Sequence, residues 1–263
     1  MATSKDFNPF LCTPRRTDTV DVTGMGKSEV LLCQVGDETL LVYVKDTASV
    51  ISLGTCRPHE NKLIATLQWS PLAMTYLPKG LLAFTTGTTS LIFLDVTKTP
   101  ADVRREITED AYGAATRGIE DTIIASPENA PSRLDIITSD GRVIRRLNIS
   151  HCAIHRRLFR TRDYVIACYK GQPLLKIGLE TGETSTLSHE DVVEPKELFV
   201  DDRDRLYIAD TRGKIHVTDL RGNWRELDVC SSSGFVVSTD EGKVFTTDKC
   251  CDSQLLVYDL TKY

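Results

Sequence analysis

The chain has 263 residues, a formal net charge of −5 and a pI near 5.6. That balance argues against a generally basic nucleic-acid binder, and the length suits one all-β domain. No apolar run approaches the ~20 residues that span a bilayer.

The N-terminus, MATSKDFNPFLCTPRRT, has no apolar core of a secretory leader, so a cytoplasmic protein is expected. Thr19–Thr23 reads as a first strand. Thr23-Gly24-Met25-Gly26-Lys27-Ser28 has the ending of a phosphate-binding loop, but the required earlier glycine is Asp21. The next segment, Val30–Cys33, reads as a strand rather than a helix, so a hairpin turn is expected. Leu40–Val44 is the following strand, and Gly54–Asn61 is expected to be a long loop. Then come Leu72–Leu77, Leu81–Phe84 and Leu91–Asp95. Asp102–Asp110 is the best helical candidate, and it is short and mostly polar.

The same order recurs downstream. Ala111–Gly118, Thr122–Ala125 and Leu134–Thr138 are followed by Val143–Ile149, read as an outer edge strand. Ala153–Phe159, Tyr164–Ala167 and Leu174–Ile177 repeat the pattern. The clearest unit is Glu197–Val229, with strands at Leu198–Val200, Leu206–Ala209, Ile215–Thr218 and Trp224–Val229. Each run is short, rich in Ile, Leu, Val and Tyr, and bounded by Gly or Asp turns. Gly234–Thr239, Val244–Thr247 and Leu255–Asp259 finish the chain.

Ile124-Ala125, Ile166-Ala167 and Ile208-Ala209 are 42 residues apart (166 − 124 and 208 − 166). A period near 40 filled only by short strands is a blade repeat. The fold class expected is all-β: a six-bladed β-propeller of four-stranded antiparallel blades, one domain over residues 1–263. A lone blade cannot bury both its faces, whereas stacked neighbours do so. The last blade lacks its outer strand at the C-terminus. Part of Lys5–Thr13, within the N-terminal segment 1–18, is expected to supply it and close the ring.

LFVDDRDRLYIADT resembles the core of an NHL repeat, through Asp201, Tyr207, Ala209 and Asp210. The match is strong in one blade, and the other five are degenerate. WD-repeat propellers are the runner-up resemblance. Leu94-Asp95, Thr218-Asp219 and Tyr258-Asp259 end third strands as Trp-Asp would. The NHL resemblance, to the propellers of tripartite-motif proteins, implies a module that binds protein or RNA.

The richest charge feature is Arg142–Arg162. It holds Arg142, Arg145, Arg146, Arg156, Arg157, Arg160 and Arg162, with His151 and His155 and no acid. Guanidinium forks suit phosphate or carboxylate, so an anionic partner or RNA is one reading. The other is a charged edge that blocks aggregation, with acids of Glu106–Asp110 or Glu180–Asp191 pairing the arginines. Few aromatics interleave them, which weakens the case for single-stranded nucleic acid.

Other motifs carry less. His151 and His155 share a metal only if helical, and their segment reads as strand and turn. Asn148-Ile149-Ser150 is a glycosylation sequon read as chance. The cysteines form no CxxC, and Cys33 and Cys168 sit in apolar strands as buried thiols. A lactonase-like hydrolase would need a metal held by inner-strand carboxylates, for which Asp21, Glu120 and Asp240 are the only candidates. No Gly-x-Ser-x-Gly elbow is present. The expectation is therefore a non-catalytic scaffold without cofactor, metal or small-molecule substrate, and with a protein partner.

Overall fold

The computed structural model describes residues 14–21, 30–35, 39–45, 47–54, 61–86, 90–98, 100–108, 110–150, 157–168, 172–201, 203–230, 235–238, 243–247 and 254–260. In chain order the strands are β1 (Arg15–Asp21), β2 (Val30–Val35), β3 (Thr39–Val44), β4 (Ser49–Gly54) and β5 (Asn61–Thr66). They continue with β6 (Ala73–Leu77), β7 (Leu81–Thr85), β8 (Leu91–Asp95), β9 (Asp102–Ile107), β10 (Tyr112–Arg117), β11 (Thr122–Pro127), β12 (Arg133–Thr138) and β13 (Val143–Asn148). The remainder are β14 (Arg157–Arg160), β15 (Tyr164–Cys168), β16 (Leu174–Gly178), β17 (Thr184–Leu187), β18 (Pro195–Val200), β19 (Leu206–Asp210), β20 (Lys214–Thr218), β21 (Trp224–Cys230), β22 (Phe235–Ser238), β23 (Lys243–Thr247) and β24 (Gln254–Asp259). No helix among the described residues is long and apolar enough to cross a membrane.

The chain divides into two compact units, Gln68–Pro195 and Met1–Leu67 with Lys196–Tyr263. In the first unit, β6–β9, β10–β13 and β14–β17 each form a four-stranded sheet in sequence order. Their pairings are antiparallel throughout. The first strand β10 lies beside both β6 and β14. Alternation of side chains then lets the middle sheet bury both faces. Ile123, Ala125 and Ile137 pack with Leu77, Leu91, Phe93 and Ile107 of the preceding sheet. Ile124, Leu134 and Leu147 pack instead with Leu158, Val165, Leu175 and Ile177 of the following one. Each such fully buried side chain contributes roughly 1.5–3 kcal/mol, which makes this stacking the main source of cohesion.

The second unit has the sheets β2–β5 and β18–β21, and a third in the order β1-β24-β23-β22. Leu40, Val42, Ile51 and Leu53 pack against Phe245, Leu255 and Val257. Tyr207, Ile215, Val217 and Leu227 pack against Val244 and Leu260.

The framing of the first sheet is corrected here. Thr19–Thr23 is not the first strand of the sheet that follows it. Arg15–Asp21 pairs antiparallel with β24, with Arg15 opposite Asp259 and Asp21 opposite Gln254. Val30–Val35 is consequently a first strand, and Thr39–Val44 a second strand equivalent to Leu81–Thr85. Ser49–Gly54 and Asn61–Thr66 are the third and fourth strands, and residues 55–60 of the loop expected between them lie outside the described residues. Asp102–Ile107 is a strand, its exposed polar run being the outer edge of a sheet. Lys5–Thr13 and the Thr23–Ser28 motif lie outside the described residues, apart from Asp21 at the end of β1.

Candidate functional site: the arginine-bearing outer strands

The six described arginines of Arg142–Arg162 are divided between two sheets and their turns. Arg142 precedes β13, the fourth strand of its sheet, and Arg145 and Arg146 lie on it, all three exposed. Arg157 and Arg160 lie on β14, a first strand, and Arg162 follows in an exposed turn. Arg156, His151 and His155 lie outside the described residues.

Three of these guanidinium groups bind backbone carbonyls of another sheet. Arg145 Nη2 donates to the Glu180 carbonyl at 2.8 Å, in the turn between β16 and β17. Arg160 Nη1 donates to the Gly118 carbonyl at 3.0 Å, just past β10. Arg157 Nη1 donates to the Leu72 carbonyl, just before β6. Arg146 Nε stands 4.0 Å from Asp135 Oδ1. Of the acids expected to pair with these arginines, Asp110 and Glu106 have nearer donors, although the Arg146 charge also acts on Asp110. Asp110 accepts from Arg133 Nη2 at 2.6 Å and from Asn129 Nδ2 at 2.9 Å. Glu106 Oε1 accepts from the Ser90 hydroxyl at 2.6 Å. The Glu180 contribution is its carbonyl, not its carboxylate.

Two arginines that the sequence reading passed over belong with this region. Arg104 and Arg105 lie exposed on β9, the fourth strand of the preceding sheet. The register slips by one residue at Arg104, between Phe93/Arg105 and Leu94/Val103. It slips equivalently at Ile144, between Ile136/Arg145 and Ile137/Val143. A bulge re-aims its side chain. Arg104 accordingly turns back to Asp95, donating to Oδ2 through Nε at 2.9 Å and Nη2 at 2.5 Å. Thr97 gives Asp95 Oδ1 its amide at 3.0 Å and its hydroxyl at 2.5 Å. These donors, Thr97 foremost and then Arg104, pull the Asp95 carboxyl down to about 2. Arg105 reaches along the next sheet, its guanidinium against Gly141 and thus beside Arg142. The doubled Arg-Arg in each of DVRREI and VIRRLN was the signal available in the sequence.

Beneath these strands lies a buried polar cluster. Asp135 is 0% exposed. Its Oδ2 accepts from the Tyr112 hydroxyl at 3.0 Å and from Arg133 Nη2 at 2.9 Å, and its Oδ1 lies 2.8 Å from Arg133 Nε. Burial, then the Asp135 charge and hydrogen bond, push the Tyr112 phenol well above its ordinary range. Burial alone would raise the Asp110 carboxyl, but Asn129 and Arg133 outweigh it and lower it.

The four residues carrying the NHL resemblance fall in β18–β21 and its turns. Asp201 Oδ1 accepts the Arg203 and Arg205 amides, each at 2.9 Å, and Oδ2 accepts from Arg205 Nε at 2.5 Å and the Tyr207 hydroxyl at 3.3 Å. Burial raises the Asp201 carboxyl, opposed by Arg205. Asp210 Oδ1 takes the Arg212 and Lys214 amides at 2.9 and 3.1 Å. Its Oδ2 takes Arg212 Nε and Nη2 at 2.9 and 2.8 Å and lies 3.4 Å from His216 Nε2. Ala209 is buried with Tyr207 in the core. Both aspartates lock turns.

Among the described residues no group of three or more His, Cys, Asp or Glu is placed to hold a metal ion. Glu120 sits in the turn between β10 and β11 with φ 53°, and Asp21 ends β1. Asp240 lies outside the described residues. Cys33 and Cys168 are buried, and Cys168 Sγ lies 3.2 Å from the Pro195 carbonyl oxygen. Asn148 is exposed, and the Ser150 hydroxyl shares a 2.8 Å hydrogen bond with that of Thr184.

No protein-family model matches the chain, and no curated protein matches it in sequence. Solved structures do match in shape. The WD40 β-propeller domain of Doa1 aligns with a TM-score of 0.66 at 10% identity, over 95% of this chain and 98% of that one. A streptogramin B lyase structure aligns with a TM-score of 0.66 at 10% identity, over 93% and 97%. The chain thus has a β-propeller fold of four-stranded antiparallel blades. At this identity the likeness concerns fold alone.

Proposed function

We propose that the chain is one six-bladed propeller of the NHL type, completed by the N-terminal strand, and that it acts in the cytoplasm as a non-catalytic platform for a protein partner. The blade number and the completed ring are supported by the repeated four-stranded sheets and by the β1–β24 pairing.

The observation that carries the platform reading is the use made of buried charge. Asp95, Asp135, Asp201 and Asp210 are each held by two or more donors within their own sheet or its turns. Carboxylates held by several donors in this way are poorly suited to give or take a proton. What remains for function is the exposed surface of a rigid scaffold. A second reading, an anionic partner or RNA at the arginines, is favoured by Arg142, Arg145 and Arg146 standing together at one exposed strand.

Affinity purification from cells with and without nuclease tests both. A bound set of proteins unchanged by nuclease is the expected result. Loss of that set on nuclease treatment would move the function to RNA. A stoichiometric metal in the purified protein would overturn the non-catalytic reading.

A further inference from the structure

The outer strands β9 and β13 flank a groove at the rim of two neighbouring sheets. Arg105 shares its face of β9 with Ile107, two residues on. Arg146 is the cross-strand partner of Asp135, which shares its face of β12 with Ile137. Ile107 and Ile137 belong to one core cluster, between these sheets. Arg105 and Arg146 therefore enter the same inter-sheet space from opposite walls. Arg142 stands at one end, beside the Gly141 against which Arg105 lies.

The acids around this groove neutralise it only in part: Arg146 acts on Asp110 and stands 4.0 Å from Asp135, and Arg142 acts on Asp140. Asp95 is taken by Arg104 and Thr97. Asp135 is taken by Arg133, which is closer to it than Arg146 is. Asp102 pairs with Lys98 at 2.9 Å, and the Asp140 carboxylate accepts from the Thr138 hydroxyl. Among the described residues, no carboxylate pairs with Arg105. The rim thus carries an excess of guanidinium on a chain whose net charge is −5. One exposed apolar side chain interrupts it, Ile144 at 52% exposure, in the bulge opposite Ile137.

We propose that this groove receives an extended acidic segment of a partner protein, its carboxylates held by Arg105, Arg142 and Arg146 and an apolar residue set on Ile144. The proposal rests on the platform reading and names its surface and partner class. Charge complementarity selects an acidic occupant, and planar guanidinium favours carboxylate pairs. Neither β9 nor β13 has an aromatic side chain, so the groove offers bases no stacking platform, which disfavours single-stranded nucleic acid. The bulges at Arg104 and Ile144 disfavour simple extension of the sheet by a fifth strand.

The test is fluorescence anisotropy with a labelled peptide of mixed Asp, Glu and Leu, its Asn/Gln/Leu counterpart, and labelled oligouridine. Wild type is expected to bind the acidic peptide, to ignore the amide peptide, and to bind oligouridine more weakly. Arg105→Glu/Arg146→Glu is expected to weaken the acidic peptide at least about tenfold, equivalent to ~1.4 kcal/mol. Arg105→Lys/Arg146→Lys keeps the charge but not the paired hydrogen bonds, and should weaken binding less than the double reversal does. Arg221→Glu, the same type of charge change in a turn of β18–β21, should have no effect. Circular dichroism melts check that each variant is folded. Equal loss in Arg221→Glu, no loss in the double reversal, or tighter binding of oligouridine would overturn the proposal. In-cell cross-linking separates the two levels. Partners captured equally by wild type and the double reversal sink the groove and leave the platform. No captured partner sinks the platform, while the peptide titration still decides the groove.

Discussion

Tyr112 and Asp135 meet inside the β10–β13 sheet, the phenol donating to Oδ2 at 3.0 Å, with exposures of 1% and 0%. The pair joins the first strand to the third from a position that water does not reach. Removing the hydroxyl leaves a buried carboxylate short of a donor. Tyr112→Phe is expected to cost about 1–3 kcal/mol. Urea denaturation measures it, and a cost near zero would mean that Arg133 alone satisfies Asp135.

Asp95 gives the fold a defined acid sensitivity. Its carboxyl sits at about 2 in the folded chain, below the ordinary value. A lowered folded value means that the unfolded chain binds the proton first. The stabilisation is therefore complete above the ordinary carboxylate range and fades as pH falls towards about 2. Melting curves from neutral to acid pH should show Asp95→Asn less stable at neutral pH, with the gap to wild type narrowing in acid. A gap independent of pH would contradict this account of Arg104 and Thr97.

Two turn glycines provide a controlled comparison. Gly182 has φ +74°, and an added Cβ would collide with the Asn148 carbonyl. Gly222 has φ +110° and open space around that position. Gly222→Ala is expected to cost about 1–2 kcal/mol from backbone strain alone. Gly182→Ala should cost clearly more, because it also parts the turn from the neighbouring outer strand. Equal losses in thermal melts would show that the contact with Asn148 contributes nothing.

Asp210 binds two amides, the Arg212 guanidinium and His216 in one turn. Its side chain is 0% exposed and that of His216 2%. Asp210→Ala leaves these donors unmatched and is expected to cost about 3 kcal/mol. Asp210→Asn retains an acceptor and should recover part of it. Chemical denaturation of the three proteins tests the order.

How much of this was legible in the sequence differs between elements. The blade Glu197–Val229 was read strand by strand, because its alternation and its Asp and Gly turns are local. Val143–Asn148 was recognised as an edge strand for the same reason. The first sheet was framed one strand out of place, because Val30–Cys33 is as apolar as any second strand. Nothing within Arg15–Asp21 says that its partner is β24, more than two hundred residues away. Arg104 and Arg105 were overlooked because each outer strand was judged by its own charges.

Local chemistry determined the strands, their turns and the four-stranded repeat, since side-chain alternation and backbone preference act within a few residues. Tertiary structure alone decided where Arg15–Asp21 pairs and which arginines share a groove. Backbone donors and acceptors are the same in every strand, so pairing between distant strands is chosen by the packing of whole sheets. Arg105 and Arg146 come together only because Ile107 and Ile137 are buried in the same core.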